Sequence, residues 1–154
     1  MTILVVDDDR TLTLLLSTKL QRLEFDVVIA HDAMQAFMQA SRCNPDAIIL
    51  DINMPGGSGI EVLKKLKSSA KTSSIPVIVL TASKKSSEQQ EIMSLGASAF
   101  VYKETALHRT ETILLSCLPK SRSLTSVRHK PKAEAPNPPA LSLKSLSRRI
   151  LGNR

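Results

Sequence analysis

"AIILDINMPGGSG", residues 47–59, begins with four apolar residues, continues into Asp51 and then turns at a Pro-Gly-Gly sequence. A continuous apolar run of this kind is typical of a strand that is covered on both faces of a parallel sheet. A carboxylate at the end of such a strand costs desolvation free energy unless neighbouring groups make use of its charge. The segment therefore predicts a buried strand that presents Asp51 to a functional site.

Similar apolar runs, rich in β-branched residues, alternate along the chain with segments of helical spacing. Including the run before Asp51, they cover residues 2–6, 25–30, 46–50, 75–80 and 98–102. The intervening segments place apolar residues three or four positions apart, which is typical of a helix with one buried face. The first two faces are expected to contain Leu12, Leu15, Leu16, Leu20 and Leu23, and Ala33, Ala36, Phe37 and Ala40, respectively.

Strand and helix therefore alternate five times, with short connections between them. Such alternation predicts right-handed crossovers and a parallel sheet with helices on both faces. The carboxyl ends of the strands then lie along one edge of the sheet, which is where ligands bind in folds of this type. We expect an α/β three-layer sandwich whose functional residues directly follow the strands.

The composition is that of a globular protein, and we expect no export signal. Hydrophobic residues make up 42% of the chain, yet no apolar run approaches the roughly 18 residues that cross a membrane. The N-terminus lacks the basic leader and the long apolar core of a secretory signal. Cys43 and Cys117 are too few for a disulfide framework or a metal cluster, which fits a reducing compartment. We expect a cytoplasmic protein.

Positive charge is concentrated towards the C-terminus. Residues 1–119 have a net charge of −1, whereas residues 120–154 have a net charge of +8. We predict a folded domain over 1–119, a Pro/Ser/basic linker over 120–140 and a basic tail over 141–154. The linker and tail are expected to be mostly disordered, although residues 141–151 could form a short amphipathic helix.

Polar side chains follow four of the five predicted strands. Asp7 and Asp8 follow the first strand, Asp51 the third, Thr81 the fourth and Lys103 the fifth. The second strand ends in Ala-His-Asp and is not expected to contribute a functional group. Because the carboxyl ends of parallel strands meet at one edge of the sheet, these five residues are expected to share a pocket.

The chemistry of this pocket is predicted to be phosphoryl transfer to Asp51. Two carboxylates ~4 Å apart repel each other by roughly 4 kcal/mol at an effective dielectric constant of about 20, so that a proton or a cation must lie among three of them. Oxygen ligands without histidine or cysteine favour Mg²⁺, which commonly completes its coordination with phosphate. A lysine and a hydroxyl group would recognise a phosphoryl group as it forms an acyl phosphate on Asp51.

Four segments resemble the receiver domain of two-component response regulators: ILVVDDD (3–9), IILDINMPGGSGIEVLKKLK (48–67), IPVIVLTAS (75–83) and GASAFVYKE (96–104). The likeness covers about residues 2–118, and the separations of 30 residues from Asp51 to Thr81 and 52 to Lys103 match those of single-domain chemotaxis receivers. The resemblance implies a (βα)5 flavodoxin-like fold with strand order 2-1-3-4-5.

The resemblance also implies roles for the acidic residues. Asp51 would be the phosphoacceptor and Asp8 a direct ligand of Mg²⁺. Asp7 would act mainly through a metal-bound water, and the main-chain carbonyl of Asn53 would supply a further ligand. The metal site is thus predicted to consist of Asp7, Asp8, Asp51 and Asn53.

Other positions correspond to the switch of the family. By this resemblance, Thr81 would donate a hydrogen bond to the phosphoryl group and Lys103 would pair with a phosphoryl oxygen. Phe100 would be the aromatic residue that changes rotamer on activation. Asn53 and Ser83 would tune the lifetime of the phosphoaspartate.

Two departures from the family pattern are expected to alter loops. Glu104 stands where receivers usually have a proline with a cis peptide bond, and a cis bond before a non-proline residue costs roughly 3 kcal/mol. We therefore predict a trans bond at Lys103–Glu104 and a displaced loop into the fifth helix. Gly57 and Ser58 replace a large apolar and an acidic residue, which predicts a more mobile loop after Asp51.

The resemblance implies the partners as well. A sensor histidine kinase or a histidine phosphotransfer protein would donate the phosphoryl group. A downstream protein would bind the face formed by the fourth helix, the fifth strand and the fifth helix, and the protein could also form a homodimer. Its function would be that of a signalling switch that catalyses its own phosphorylation and dephosphorylation, not that of a metabolic enzyme.

Two alternative functions are open. The basic tail could bind nucleic acid or an anionic surface and be the real effector, although residues 120–154 hold no aromatic residue for base stacking and are too few for an ordinary DNA-binding domain. An aspartyl-phosphate phosphohydrolase of similar architecture would need a second carboxylate two residues after the nucleophile, where Asn53 stands.

Overall fold

The structure, a computed structural model, describes residues 1–54 and 59–118. Predictions for Gly57 and Ser58 and for the tail after residue 118 lie outside these ranges. Strands and helices alternate along the described chain as β1 (Thr2–Val6), α1 (Arg10–Arg22), β2 (Asp26–Ala30), α2 (Ala33–Cys43), β3 (Ala47–Asp51), α3 (Gly59–Ser68), β4 (Val77–Thr81), α4 (Ser86–Ser94), β5 (Ala99–Tyr102) and α5 (Ala106–Cys117).

The five strands form one parallel sheet in the order β2-β1-β3-β4-β5. This order confirms the predicted (βα)5 flavodoxin-like fold. At the carboxyl ends of the strands, Val6 pairs with Leu50, Asp51 with Leu80, and Thr81 with Tyr102. The residues that follow β1, β3, β4 and β5 therefore emerge at one edge of the sheet.

Each central strand contributes side chains to both faces of the sheet. All five residues of β3 and all five of β4 are buried. Because successive side chains of a strand point to opposite faces, Ile48 and Leu50 pack on the side of α2, α3 and α4, whereas Ile49 packs on the side of α1 and α5. The sheet therefore has a hydrophobic core on each of its two faces, and each core is covered by helices. This arrangement is the predicted three-layer sandwich.

Two aspartates fix the beginnings of α1 and α2. The Oδ1 atom of Asp9 accepts hydrogen bonds from the backbone N–H groups of Thr11 (2.9 Å) and Leu12 (3.1 Å), so Asp9 is the N-cap of α1. Asp32 caps α2 in the same way through the N–H of Gln35, at 2.8 Å. The cap at Asp9 limits the connection between β1 and α1 to the acidic residues themselves.

The predicted buried faces of α1 and α2 were too wide. Leu15 is 47% exposed and Phe37 is 37% exposed, although both were expected to face the core. Leu16 and Ala36, their neighbours on the two helices, are buried. At 100° per residue, Leu15 and Phe37 lie at the margins of the apolar stripes, where the sheet no longer covers them.

Candidate active site

Three carboxylates meet at the carboxyl edge of the sheet. Asp7 and Asp8 directly follow β1, and Asp51 is the last residue of β3. One oxygen from each of the three lies within 4.8 Å of the others. Asp7 and Asp51 are completely buried, whereas Asp8 is exposed. The structure thus joins two acids from the start of the chain to one from its middle.

Lys103 places an ammonium group between the two buried acids. Its Nζ atom donates a hydrogen bond of 2.8 Å to Asp51 Oδ2 and one of 3.2 Å to Asp7 Oδ1. Residues Lys103–Thr105 form a 3₁₀ turn that leads into α5. The described ranges contain no cis peptide bond, so the bond before Glu104 is trans, as predicted. Lys103 reaches the acids without the proline of the family pattern.

Backbone N–H groups orient the two buried carboxylates. Asp51 Oδ1 accepts from the N–H of Asn53 at 3.0 Å, and Asp7 Oδ1 accepts from the N–H of Asp9 at 2.9 Å. Asp7 Oδ2 is buried without a hydrogen-bond partner in the described chain, although Lys103 Nζ lies 3.0 Å away as an ion-pair contact. A buried oxygen that lacks a donor is well suited to a cation, and the surrounding ligands are all oxygen atoms.

Burial and the neighbouring charge of Asp51 disfavour the ionised form of Asp7. Burial raises the pKa of Asp7, with a smaller contribution from the charge of Asp51, and the hydrogen bonds from Asp9 and Lys103 oppose this shift only in part. Burial also lowers the pKa of Lys103, but its hydrogen bonds to Asp51 and Asp7 outweigh this effect and leave the pKa raised. Lys103 therefore stays an ammonium ion, and negative charge remains in excess around it.

Thr81 ends the strand next to that of Asp51, and the hydroxyl groups of Thr81 and Ser83 make their hydrogen bonds within the loop that follows β4. Thr81 is buried, and its Oγ1 atom accepts a hydrogen bond of 2.9 Å from the N–H of Ser83. The Oγ atom of Ser83 accepts one of 3.2 Å from the N–H of Lys85. The hydroxyl of Thr81 is therefore engaged by its own loop rather than by the carboxylates.

Phe100 and Asn53 do not contact the acids through their side chains in the described structure. Phe100 is partly buried in β5, packs against the core on the side of α2, α3 and α4, and meets the ring of Tyr102 edge-on at 5.9 Å between centroids. The side chain of Asn53 is exposed, while its N–H holds Asp51.

His31 is a residue of the site that the sequence analysis missed. It follows β2, and its Nδ1 atom lies 3.0 Å from the main-chain oxygen of Asp7. Because a carbonyl can only accept, Nδ1 must carry the proton. The end of the second strand thus contributes a contact to the main chain of Asp7, although His31 is not part of the carboxylate cluster. The signal that could have identified His31 is its position directly after a predicted strand, at the same edge of the sheet as the acidic residues.

Gly59 is a second residue whose role was not predicted. It begins α3, and its N–H donates to the main-chain oxygen of Ile52 at 3.1 Å. A Cβ atom at this position would lie 2.3 Å from the main-chain oxygen of Asp51 and 2.4 Å from the Cα of Ile52. Only glycine allows α3 to begin so close to the end of β3, and this approach fixes the backbone that carries Asp51.

The comparison with protein families agrees with this geometry. The family model of the response regulator receiver domain matches residues 3–114. The chain belongs to this family. The resemblance seen in the sequence is thereby confirmed, and with it the assignment to two-component systems, in which receiver domains are signalling switches.

Similar proteins include larger response regulators. MprA of Mycobacterium avium (strain 104) is 37% identical over 107 residues, which are 70% of this chain and 46% of MprA. MprA of Mycobacterium sp. (strain KMS) is 33% identical over 145 residues, which are 94% of this chain and 58% of that protein. The receiver chain thus spans about half the length of these curated relatives.

Two solved structures have the same fold over nearly their whole length. The chemotaxis protein CheY4 of Vibrio cholerae superimposes with a TM-score of 0.72 at 27% identity, covering 76% of this chain and 98% of CheY4. The BeF3-activated N-terminal receiver domain of Klebsiella pneumoniae RstA superimposes with a TM-score of 0.71 at 25% identity, covering 78% of this chain and 100% of that domain.

In the described part of the receiver, no helix is long and apolar enough to cross a membrane.

Proposed function

We propose that Asp51 accepts a phosphoryl group from a sensor histidine kinase or a histidine phosphotransfer protein. The observation that carries this proposal is the contact of 2.8 Å between Lys103 Nζ and Asp51 Oδ2, within a cluster of three carboxylates. A lysine held against a buried carboxylate can pair with the phosphoryl oxygens that arrive there. Membership of the receiver family supports the same assignment.

In the proposed reaction, a carboxylate oxygen of Asp51 attacks the phosphorus of the donor. A P–O bond to Asp51 forms while the P–N bond of the phosphohistidine breaks, and the imidazole keeps the electron pair and takes up a proton. The N–H of Asn53 holds the carboxylate in a fixed orientation during the attack. Hydrolysis reverses the modification when water attacks the phosphorus and the aspartate leaves as a carboxylate.

Asp7, Asp8, Asp51 and the main-chain carbonyl of Asn53 would hold Mg²⁺. The fit rests on donor atoms that are all oxygen and on the buried Asp7 Oδ2, which has no hydrogen-bond partner in the described chain. When bound, Mg²⁺ supplies positive charge that neutralises the carboxylates and the transferring phosphoryl group.

The phosphorylated state would alter the face formed by α4, β5 and α5. The hydroxyl of Thr81 would leave the N–H of Ser83 and donate to the phosphoryl group, and Phe100 would rotate inward behind it. This local electrostatic event biases a two-state element. The α4-β5-α5 face would then bind a downstream protein or a second copy of the chain, and Asn53 and Ser83 would set the lifetime of the phosphoaspartate.

Mass spectrometry after incubation with Mg²⁺ and a small acyl phosphate donor tests the proposal. We expect the intact chain to gain about 80 Da, the mass of one phosphoryl group, on the peptide that contains Asp51. An Asp51→Asn variant should take up no label. Asp26→Asn, which changes an exposed aspartate at the opposite edge of the sheet, is the matched control and should be labelled normally. Labelling elsewhere, or normal labelling of D51N, would contradict the assignment.

A second candidate function rests on charge. Residues 120–154 have a net charge of +8, and this excess could bind nucleic acid or an anionic surface. In that case the basic segment would be the effector, with the receiver as its regulator.

A further inference from the structure

Glu104 replaces the usual proline, and its side chain bridges two loops beside the site. One loop is the connection between β4 and α4, which directly follows Thr81. The other is the 3₁₀ turn that begins at Lys103. Glu104 Oε1 lies 2.7 Å from the Nζ atom of Lys84 in the first loop. The ion pair therefore connects the loop of the switch threonine to the turn of the site lysine.

Tyr102 lies under this ion pair and extends the connection to α4. The Nζ atom of Lys84 is 6.0 Å from the centroid of the Tyr102 ring, within the range of a cation–π contact. The Tyr102 hydroxyl accepts a hydrogen bond of 2.9 Å from Gln89 in α4. Thr81 is the direct strand partner of Tyr102 in the sheet. The loop after β4 is thus held at its base by the sheet and at its outer side by Lys84.

The position of this loop decides where the hydroxyl of Thr81 points. Thr81 Oγ1 is bonded to the N–H of Ser83, and the next hydrogen bond joins Ser83 Oγ to Lys85. The first of these bonds uses Thr81 Oγ1 only as an acceptor, so its hydroxyl proton could still be donated, but the bond ties the position of Oγ1 to that of the loop. An ion pair at Lys84 resists a shift of the loop.

We propose that Lys84 and Glu104 form an ionic clasp that holds the β4–α4 loop in its unphosphorylated position and slows phosphoryl uptake by Asp51. The proposal rests on the proposed function of Asp51. The side chains of Lys84 and Glu104 are 68% and 59% exposed, so the pair contributes little to folding. An exposed ion pair can still shift a two-state equilibrium by about 1.5- to fivefold, and we expect the rate of phosphoryl uptake to change by a similar factor. Both are positioning residues, since neither contacts the carboxylates in the described structure.

Glu104→Gln and Lys84→Gln test the clasp through the rate of Asp51 labelling by a small acyl phosphate in Mg²⁺. We expect each variant to be labelled about 1.5- to fivefold faster than the wild type. The double variant should be no faster than either single variant, because both remove the same contact. The charge-swapped variant, K84E with E104K, should return towards the wild-type rate. Added salt should accelerate the wild type but not the variants.

Lys64→Gln is the matched control. It makes the same charge change as Lys84→Gln, also in an exposed ion pair, because Lys64 Nζ lies 3.1 Å from Glu61 on α3. This variant should be labelled at the wild-type rate. Hydrogen exchange of the unphosphorylated chain gives an independent readout. Peptides covering residues 81–88 should exchange faster in E104Q and K84Q than in K64Q.

The outcomes separate the two proposals. Normal labelling at equal rates in all variants, additive effects in the double variant, or unchanged exchange over residues 81–88 would overturn the clasp alone. A wild-type chain that takes up no label would overturn both the clasp and the function proposed for Asp51.

Discussion

Asp7 combines complete burial with a carboxylate oxygen that no donor satisfies in the described chain. Its other oxygen accepts a hydrogen bond from the N–H of Asp9. Burial raises the pKa of Asp7, so its negative charge is disfavoured even with the ammonium of Lys103 beside it. This unfavourable contribution is the physical reason to expect that metal binding and stability are coupled at this residue.

Asp7→Asn should stabilise the protein in the absence of Mg²⁺. Asparagine keeps the shape of the side chain and an acceptor for the N–H of Asp9, but it removes one of three neighbouring negative charges. We expect a gain of about 0.5–2 kcal/mol in the free energy of unfolding, together with the loss of the stabilisation that Mg²⁺ gives the wild type. Urea unfolding with chelator and with Mg²⁺ measures both effects. A less stable D7N protein in chelator would contradict the reasoning.

The gain from D7N should also depend on pH. Because the folded pKa of Asp7 is raised above 3.8, the folded chain binds this proton more tightly than the unfolded chain does. The contribution of Asp7 to stability is therefore most favourable below pH 3.8 and falls as the pH rises through the raised pKa. In chelator, the difference in stability between D7N and wild type should accordingly widen as the pH increases through this window.

The close approach of α3 to the end of β3 is the element-scale feature that positions Asp51. The approach is possible because Gly59 has no Cβ atom, and both atoms that a Cβ would meet belong to the backbone. Backbone atoms cannot move aside as a flexible side chain can. The geometry of the site therefore depends on a residue that performs no chemistry.

Gly59→Ala should destabilise the protein and displace Asp51 together. We expect a loss of about 1–3 kcal/mol in the free energy of unfolding, because the added methyl group must push α3 away from β3. Labelling of Asp51 should slow in the folded fraction, since its distance to Lys103 changes. Lys65→Ala, an exposed change on the same helix, is the control and should alter neither quantity. A G59A protein with wild-type stability and labelling would show that the helix adjusts without cost.

Elements and site were predictable to different degrees. The strands were found within two residues because a strand buried on both faces must be apolar along most of its length, as β3 and β4 are up to Asp51 and Thr81 at their ends. Asp51 and Lys103 were found because each stands at the carboxyl end of a predicted strand. His31 was not found because its partner is a main-chain oxygen, and the pairing of Lys84 with Glu104 depends on loop positions that no sequence pattern encodes.

At the scale of the whole molecule, the first 119 residues and the remaining 35 residues differ in net charge. Residues 1–119 have a net charge of −1, and the following residues have a net charge of +8. All the side chains that the proposed reaction uses lie between Asp7 and Lys103. Phosphorylation and any binding of nucleic acid can therefore be separated by truncation.

Deletion of residues 120–154 should leave Mg²⁺-dependent labelling of Asp51 unchanged. The side chains of the proposed site and the two hydrophobic clusters that the structure describes all belong to residues 1–118. If the basic segment is the effector, the full chain should bind DNA in a salt-sensitive manner and the truncated chain should not. Labelling by mass spectrometry and DNA binding at low and high salt measure the two activities. Loss of labelling on truncation would contradict the assignment of function to the receiver alone.

Lys103 supplies the folded chain with a resident counter-ion. Because its ammonium lies 2.8 Å from Asp51 Oδ2 and 3.0 Å from Asp7 Oδ2, two buried carboxylates can be enclosed before any divalent ion arrives. The carboxylate cluster can therefore form without a divalent ion. If the proposed magnesium site is correct, the supply of Mg²⁺ would control its occupancy and not its formation.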